Sequence, residues 1–418
     1  WKKSELGRNF VLVVGGAGYI GSFVVRELIG QGYQVVVYDN LCQGHKKAVE
    51  LEGVILEKGD LSDIVNLERV INKYKPGAVF NLAANSLTWE SNIKPLEYYY
   101  NNVINELRLL DIMIESGVKY LVQASSGAVY GDQNLKDGQA FDESSEIIPS
   151  DPYNRTKVFI EKILAEYAAK KGLKYIALRY ANAMGGSKHI GEDHRAENHL
   201  IPRLLLAALG KREPLVERIY SEEELKANPS YKRRVQADTE DGTPIRDYVY
   251  VGDIAQLFVK SLGYLKDNDQ CDTFAFGTGR GYSVKQIVEI AQKVIKEDTD
   301  VFIGDLQGKP VYAVDRLVVS HKKVQEKLGI ELIQDLEAIM RTAWEWHKNN
   351  SDGYADKFQK SSEQFTSEEL LNIITEEITQ NSVLTNELKD EILNALEIDM
   401  SHAEANSTTA ASLEAILQ

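Results

Sequence analysis

Apolar residues arrive in short bursts along the first part of the chain. FVLVV at 10–14 gives way to glycines, then to the helical spacing of YIGSFVVRELIG, then to a second burst, QVVVYD, at 34–39. This order predicts strand, turn, helix, strand. Further bursts follow in VILEKGD, AVFNLAA, YLVQASS and YIALRY, with helical stretches such as LERVINKY and NELRLLDIMIESG between them. Strands alternating with helices predict a parallel sheet with helices on both faces.

The expected fold is therefore α/β: a Rossmann-like, doubly wound parallel sheet, a smaller mixed domain and a C-terminal helical tail. Residues 9–180 carry the sheet, completed by segments near 240–275. Residues 181–350 read as the smaller domain, with amphipathic helices in GDIAQLFVKSLGYL and SVKQIVEIAQKVI. The polar stretch 218–234 reads as an inserted surface loop. From 351 a linker leads to two helices. Thr366 and Glu369 fit a capping box ahead of Leu370, Leu371, Ile374 and Ile378, and Leu388, Ile392, Leu393 and Leu396 form a second stripe. Such stripes pack against a docking partner or against the parent domain.

Composition narrows this picture. The 418 residues are 43% hydrophobic and 27% charged, ordinary for a soluble globular protein. No apolar run approaches a membrane span, and WKKSELGRN has no apolar core of a signal peptide. The only cysteines, Cys42 and Cys271, suggest a reducing, cytoplasmic setting. Net charge is −15, and residues 351–418 hold 14 acidic and 3 basic side chains, so most of the excess sits in the tail. That asymmetry marks the tail as a separate unit, and the acidic chain argues against nucleic acid.

Candidate chemistry starts at Gly15, Gly18 and Gly21, a G-x-x-G-x-x-G directly after a strand and opening a helix. Glycines let the backbone approach a pyrophosphate that the helix N-terminus stabilises. Asp39 ends the next strand, where an acidic side chain binds the ribose hydroxyls of NAD and repels a 2′-phosphate. NAD is the expected cofactor. Asp60, in GDL, either reaches the adenine or closes an ordinary turn. In DPYNRTK, Tyr153 and Lys157 lie at i and i+4 on one helix face. A nearby ammonium would lower the phenol pKa and fit Tyr153 for proton transfer, although an exposed helix explains the spacing by itself. His189, His194 and His199 are spaced by five, which does not match helical metal ligands, so a polar substrate-flanking loop is expected and no metal.

GGAGYIGS, Ser126 in SSGAVYG and the Tyr153/Lys157 pair together resemble the extended short-chain dehydrogenase/reductase superfamily. YDNLCQG, KPLEYYYNN, LRYANAMG, IGEDHRAENHLIP, DGTPIRDYVYVGDIA and GTGRGYSV look specifically like the UDP-glucose 4-epimerase family, over about residues 9–348. The resemblance implies NAD-dependent inversion at C4 of a UDP-hexose through a 4-keto sugar. An N-acetylated or pentose UDP-sugar, or a weakly active NAD-binding module recruiting a partner through its tail, are the alternatives. Tyr153 would be the acid/base, Lys157 would hold the nicotinamide ribose, and Ser126 would bond the same sugar oxygen. Tyr19, Ile20, Asn40, Asp60, Leu61, Leu82, Ala83, Ala84, Asn101 and Tyr180 would line the cofactor. Asn182, His199, Leu200 and Arg246 would hold the substrate. For Arg246, a salt bridge to Asp247 or Asp253 is the competing reading. A homodimer is expected, as is a protein partner for the tail. The chain also departs from the family's pattern. Asn81 stands where the family has histidine and Trp89 where it has glycine. A second phosphate-binding arginine is not evident, with Lys309 or Arg316 as substitutes, and Leu317 aligns with the position that gates N-acetylated sugars.

Overall fold

The computed structural model describes residues 10–133, 135–194, 197–227, 233–310, 313–355 and 365–417, with side chains to 403. Its centre is a seven-stranded, all-parallel sheet. In chain order the strands are β1 (Phe10–Val14), β2 (Gln34–Asp39), β3 (Val54–Lys58), β4 (Ala78–Asn81), β5 (Tyr120–Ala124), β6 (Lys174–Tyr180) and β7 (Asp272–Phe276). Across the sheet they run β7-β6-β5-β4-β1-β2-β3. The order reverses between β1 and β4, which register Val11 to Ala78 and Val14 to Asn81. A crevice opens at such a switch point beyond the carboxyl ends of the strands.

Both sheet faces are covered, which is why the strands read as continuous apolar bursts. Val11, Val13, Val35 and Val37 join α1 (Tyr19–Gly30) and, from later in the chain, a helix at Val251–Asn268. Leu12, Val14, Val36 and Tyr38 face the opposite way. They meet α2 (Ile64–Tyr74), α3 (Asn105–Glu115) and α4 (Pro152–Lys171). A π-helical segment, Tyr99–Ile104, leads into α3.

The second lobe has its own core. Met184, Leu204, Leu205, Ile287, Ala291, Ile339 and Trp344 bring together α5 (Leu200–Ala208), α7 (Val284–Ile295) and α8 (Leu336–Asn349), whereas α6 (Val251–Asn268), expected in this lobe, packs on the sheet instead. Its strands are short: Ile245–Arg246 pairs with Tyr282–Ser283 and with Arg316–Leu317. Residues 228–232 of the expected insertion lie outside the described residues. Its first half forms a short helix, Glu222–Ala227.

The tail forms α9 (Ser367–Gln380) and α10 (Asn386–Leu417). Thr366 and Glu369 make the reciprocal capping box. Leu370, Ile374, Ile378, Leu388, Ile392 and Leu396 are buried in the same cluster as α3 and α4. The parent domain is thus what the tail's apolar stripes meet. Among the described residues, no helix is long and apolar enough to cross a membrane.

Candidate active site

The glycine turn follows β1 and faces the loop after β4 across the switch point. Gly15 has φ +74°, and a Cβ there would stand 2.7 Å from the backbone nitrogen of Ala83. The two loops therefore touch backbone to backbone, at a position only glycine fills. Leu82 N–H donates to the Val14 carbonyl and Ala83 N–H to Asn81 Oδ1, so Leu82, Ala83 and Ala84 form the opposite wall. Gly18 caps α1 without a side chain. The first-turn N–H groups at Tyr19 and Ile20 are thereby left for an anion. Tyr19 Oη donates to the Gly185 carbonyl at 2.6 Å, tying this helix start to the second lobe.

Asp39 does more than the sequence suggested. Its Oδ2 accepts from Ala17 N–H at 2.9 Å and its Oδ1 from Leu41 N–H at 2.8 Å, which fixes the left-handed Leu41. Each oxygen keeps a second lone pair for a ribose hydroxyl. Asn40 donates to Asp60 Oδ2 at 2.6 Å, and Ser62 donates to Asp60 Oδ1, so these groups form one polar rim. Leu61 is buried in the core beneath it. Glycine turn, uncapped helix and buried aspartate are the donor and acceptor set a dinucleotide requires, so the residues fit NAD.

The chemical groups cluster at the ends of β5 and β6 and on α4. Asp151 caps α4 by accepting from Asn154 N–H, and Pro152 occupies its first turn. Tyr153 and Lys157 follow one turn apart. Ser126 hydrogen-bonds Tyr153, and Lys157 Nζ lies 5.9 Å from the Tyr153 ring centre. Tyr180 is close enough to feel the Tyr153 charge. Asn101 donates to Asn102 Oδ1, and Asn102 donates to Thr156 Oγ1, so the π-helical segment is bound to α4 beside the tyrosine.

One expectation needs correction. Lys157 was expected to depress the Tyr153 phenol, yet Tyr153 is pushed up to about 12. Burial raises it, the Ser126 hydrogen bond pulls it back only in part, and Asp151 adds to the rise. The ammonium is spent elsewhere: Nζ donates to the Ala124 carbonyl at 2.9 Å. Lys157 is itself brought down to about 8 by burial, with Glu106 and Glu161 opposing.

Sequence reasoning missed Glu106. It is 2% exposed on α3, accepts from Asn81 Nδ2 at 2.6 Å and interacts electrostatically with Lys157. Burial raises its carboxyl to about 7. In sequence Glu106 stands between Asn105 and Arg108 and reads as an ordinary polar helix position. Asp247 was also misjudged. Its carboxylate accepts from Thr278, Gly279 and Val319, while Asp253 accepts from Ile333 N–H, so neither pairs with Arg246.

Arg246 instead donates to the carbonyls of Ile245 and Val314, and among the described residues it makes no ion pair. Burial lowers its pKa, and Tyr248, Asp132 and Asp315 counter this. A half-buried guanidinium without a carboxylate is suited to a diphosphate. Asn182 lies on the neighbouring strand, paired with Tyr248. Lys309 pairs with Asp315 at 2.6 Å and Arg316 pairs with Asp137, so both substitutes for a second phosphate-binding arginine are already engaged. Leu317 is registered with Arg246.

His199 caps α5 just ahead of Leu200. The loop before it gathers Glu192, His194, Glu197 and His199, with one ligand atom of each within 4.8 Å of the others. Glu197 accepts from the backbone N–H groups of His194 and His199 and from both imidazoles. Those four bonds occupy its lone pairs, so the cluster is accounted for as an ion-pair network that holds the loop. His189 stands outside it. Burial works against the charge on His199, but Glu197 and Glu192 raise it to about 9.

A nucleotide crevice at a sheet switch point, with Ser, Tyr and Lys converging at its edge, defines a dinucleotide-dependent enzyme acting on an alcohol carbon. Residues 11–277 match the NAD dependent epimerase/dehydratase family. The UDP-glucose 4-epimerase of Lactobacillus helveticus is 38% identical over 350 residues, 83% of this chain and 99% of that protein. That of Rhizobium meliloti is 38% identical over 347 residues, 82% and 99%. The solved UDP-glucose 4-epimerase of Brucella ovis in complex with NAD superposes with a TM-score of 0.70 at 37% identity, covering 80% of this chain and 97% of that one. The chain belongs to the NAD dependent epimerase/dehydratase family and, within it, to the UDP-glucose 4-epimerases.

Proposed function

We propose that this chain inverts C4 of a UDP-hexose of the UDP-glucose/UDP-galactose type through a transient 4-keto sugar. The observation that carries this reading is the meeting of Ser126 and Tyr153 with Lys157 one helical turn on, at the sheet edge that also presents the glycine turn. Tyr153 takes the proton of the sugar 4-hydroxyl and later returns it. Ser126 bonds the same oxygen and holds it against the phenol. Lys157, protonated below about 8, keeps a donor for a ribose hydroxyl. NAD, when bound, supplies a hydride acceptor and donor at the sugar carbon and a positive ring charge. Arg246 and Asn182 hold the UDP while the keto sugar presents its other face.

A phenol at about 12 is rarely ionised near neutrality, so Tyr153 becomes a base only when further positive charge enters the site. The competing reading, a weakly active module that recruits a partner through its tail, loses its motive because the tail's stripes are buried on the chain's own helices. The two free thiols fit a cytoplasmic setting. Incubation with UDP-glucose and, separately, UDP-N-acetylglucosamine, with products identified by NMR, tests the assignment. Formation of UDP-galactose is expected. Conversion of the N-acetylated sugar alone would move the specificity, and no product from either would defeat the enzymatic reading.

A further inference from the structure

About 350 residues of this chain account for 97–99% of the length of the relatives described above, so those proteins have nothing corresponding to the tail. The tail nevertheless covers a face of the sheet domain. α9 lies on the π-helical segment and on the short helix Pro95–Tyr98, and α10 lies on Pro95–Tyr98 and on α4. The covered helices are apolar on more than one stripe. α4 sends Val158 to one side of the sheet and Phe159, Ile160, Ile163 and Leu164 into the cluster that contains the tail. α3 and the segment before it bury Tyr99, Val103, Leu107 and Leu110 along one stripe and Leu109 and Ile112 along another. A helix with two apolar faces needs two coverings, and the sheet supplies only one.

Specific polar contacts lock the second covering in place. Asp399, 2% exposed, accepts from Arg155 Nε at 2.9 Å and from Tyr99 Oη at 3.0 Å. Arg108 grips Glu377 through two nitrogens, at 3.0 and 2.8 Å. Lys170 donates to the Val383 carbonyl and Asn381 to Tyr167 Oη. Phe365 meets Tyr100 edge to face at 5.5 Å.

We propose that residues 365–399 stand in for a second copy of the chain. Two tail helices complete a helical layer begun by the π-segment/α3 helix and α4. Without the tail this apolar two-helix face would be bare, and the same face of another copy, meeting it about a twofold axis, supplies the two further apolar helices that the tail supplies here. The full chain therefore exists as one copy through this face, and the homodimer expected from the sequence is replaced by an internal contact. This holds whatever sugar the site accepts.

The test is light scattering on the full chain and on an Ile374→Asp/Ile392→Asp double variant, both positions being fully buried. The wild-type chain is expected at the mass of a single copy at micromolar concentration, and the variant at twice that mass. A folded variant that stays at single-copy mass overturns the proposal. If the variant fails to fold, hydrogen exchange on the wild-type chain decides. Protection of 99–108 and 155–167 that is independent of protein concentration upholds the internal cap. Protection there that grows with concentration, with exchange-labile tail amides, overturns it.

Discussion

Replacing Glu106 by glutamine tests the electrostatic reading of the site most directly. In the wild-type chain the Glu106 carboxyl stands at about 7, raised by burial from an ordinary value of 4.5. Its folded value exceeds its unfolded one, so its contribution to stability is complete below about 4.5 and is lost as pH rises through about 7. Some two and a half pH units correspond to about 3 kcal/mol. Lys157 has the opposite sign. Its folded value, about 8, lies below the ordinary 10.5, so its contribution is complete above about 10.5 and is lost as pH falls through about 8. Stability from this pair is therefore lowest between about 7 and 8. Glutamine is neutral throughout, so the decline from about 4.5 to 7 should flatten. The same change deprives the Lys157 ammonium of a facing carboxylate, so its pKa falls further, by about 1–3 units if Glu106 acts as a near charge. Thermal midpoints across pH and the pH profile of kcat/KM for UDP-galactose read the two effects in one variant. A flattened acid-side stability and an alkaline limb shifted to lower pH are expected. Parallel stability curves with an unmoved limb would show that Glu106 is no charge partner of Lys157.

Tyr153→Phe should lower turnover by about 10²–10⁴ while circular dichroism stays native, as removal of a general acid/base does; unchanged turnover removes Tyr153 from the reaction. Arg246→Met should raise KM for the UDP-sugar by roughly 10–100-fold, the loss of about 1.5–3 kcal/mol from charged hydrogen bonds, with kcat less affected; an unchanged KM would place the diphosphate elsewhere. Gly15→Ala forces a Cβ against the Ala83 backbone at a positive φ, at a cost of about 1–3 kcal/mol, and should reduce retained NAD measured by absorbance after denaturation; full occupancy would refute the cradle.

Much of this was legible because period and punctuation coincide. The bursts at β1, β2, β4 and β5 are apolar on both faces, and Gly15, Gly18 and Gly21 fall between a strand and a helix, so sheet and cofactor crevice could be read directly. Tyr153 and Lys157 could be paired because an intact helix fixes the relation of i to i+4. What failed was distance across the fold. Nothing local links Glu106 to Asn81, 25 residues away, or Asp399 to Arg155, 244 residues away. The strands of the second lobe, such as Ile245–Arg246 and Arg316–Leu317, are two residues long and carry no period. Spacing rules for helices also gave no sign that Glu192, His194, Glu197 and His199 would meet, because the described residues of that stretch are not helical.

The burial of α4 explains why stability and chemistry share residues here. Helix α4 must place Tyr153 and Lys157 at the crevice, yet it is wrapped on its other sides by the sheet, the π-helical segment and the tail. Every charged group on its early turns therefore needs a partner indoors. Lys157 has the Ala124 carbonyl and the field of Glu106, Glu161 has Arg179, and Arg155 has Asp399. Removing one member of such a pair leaves the other charge buried, which costs about 3–5 kcal/mol. Arg155 sits two residues from both Tyr153 and Lys157, so the last buried turns of α10 and the orientation of the phenol are held by the same stretch of backbone. The tail, although it reads as a separate acidic unit, is thus part of what keeps α4 in register with the sheet.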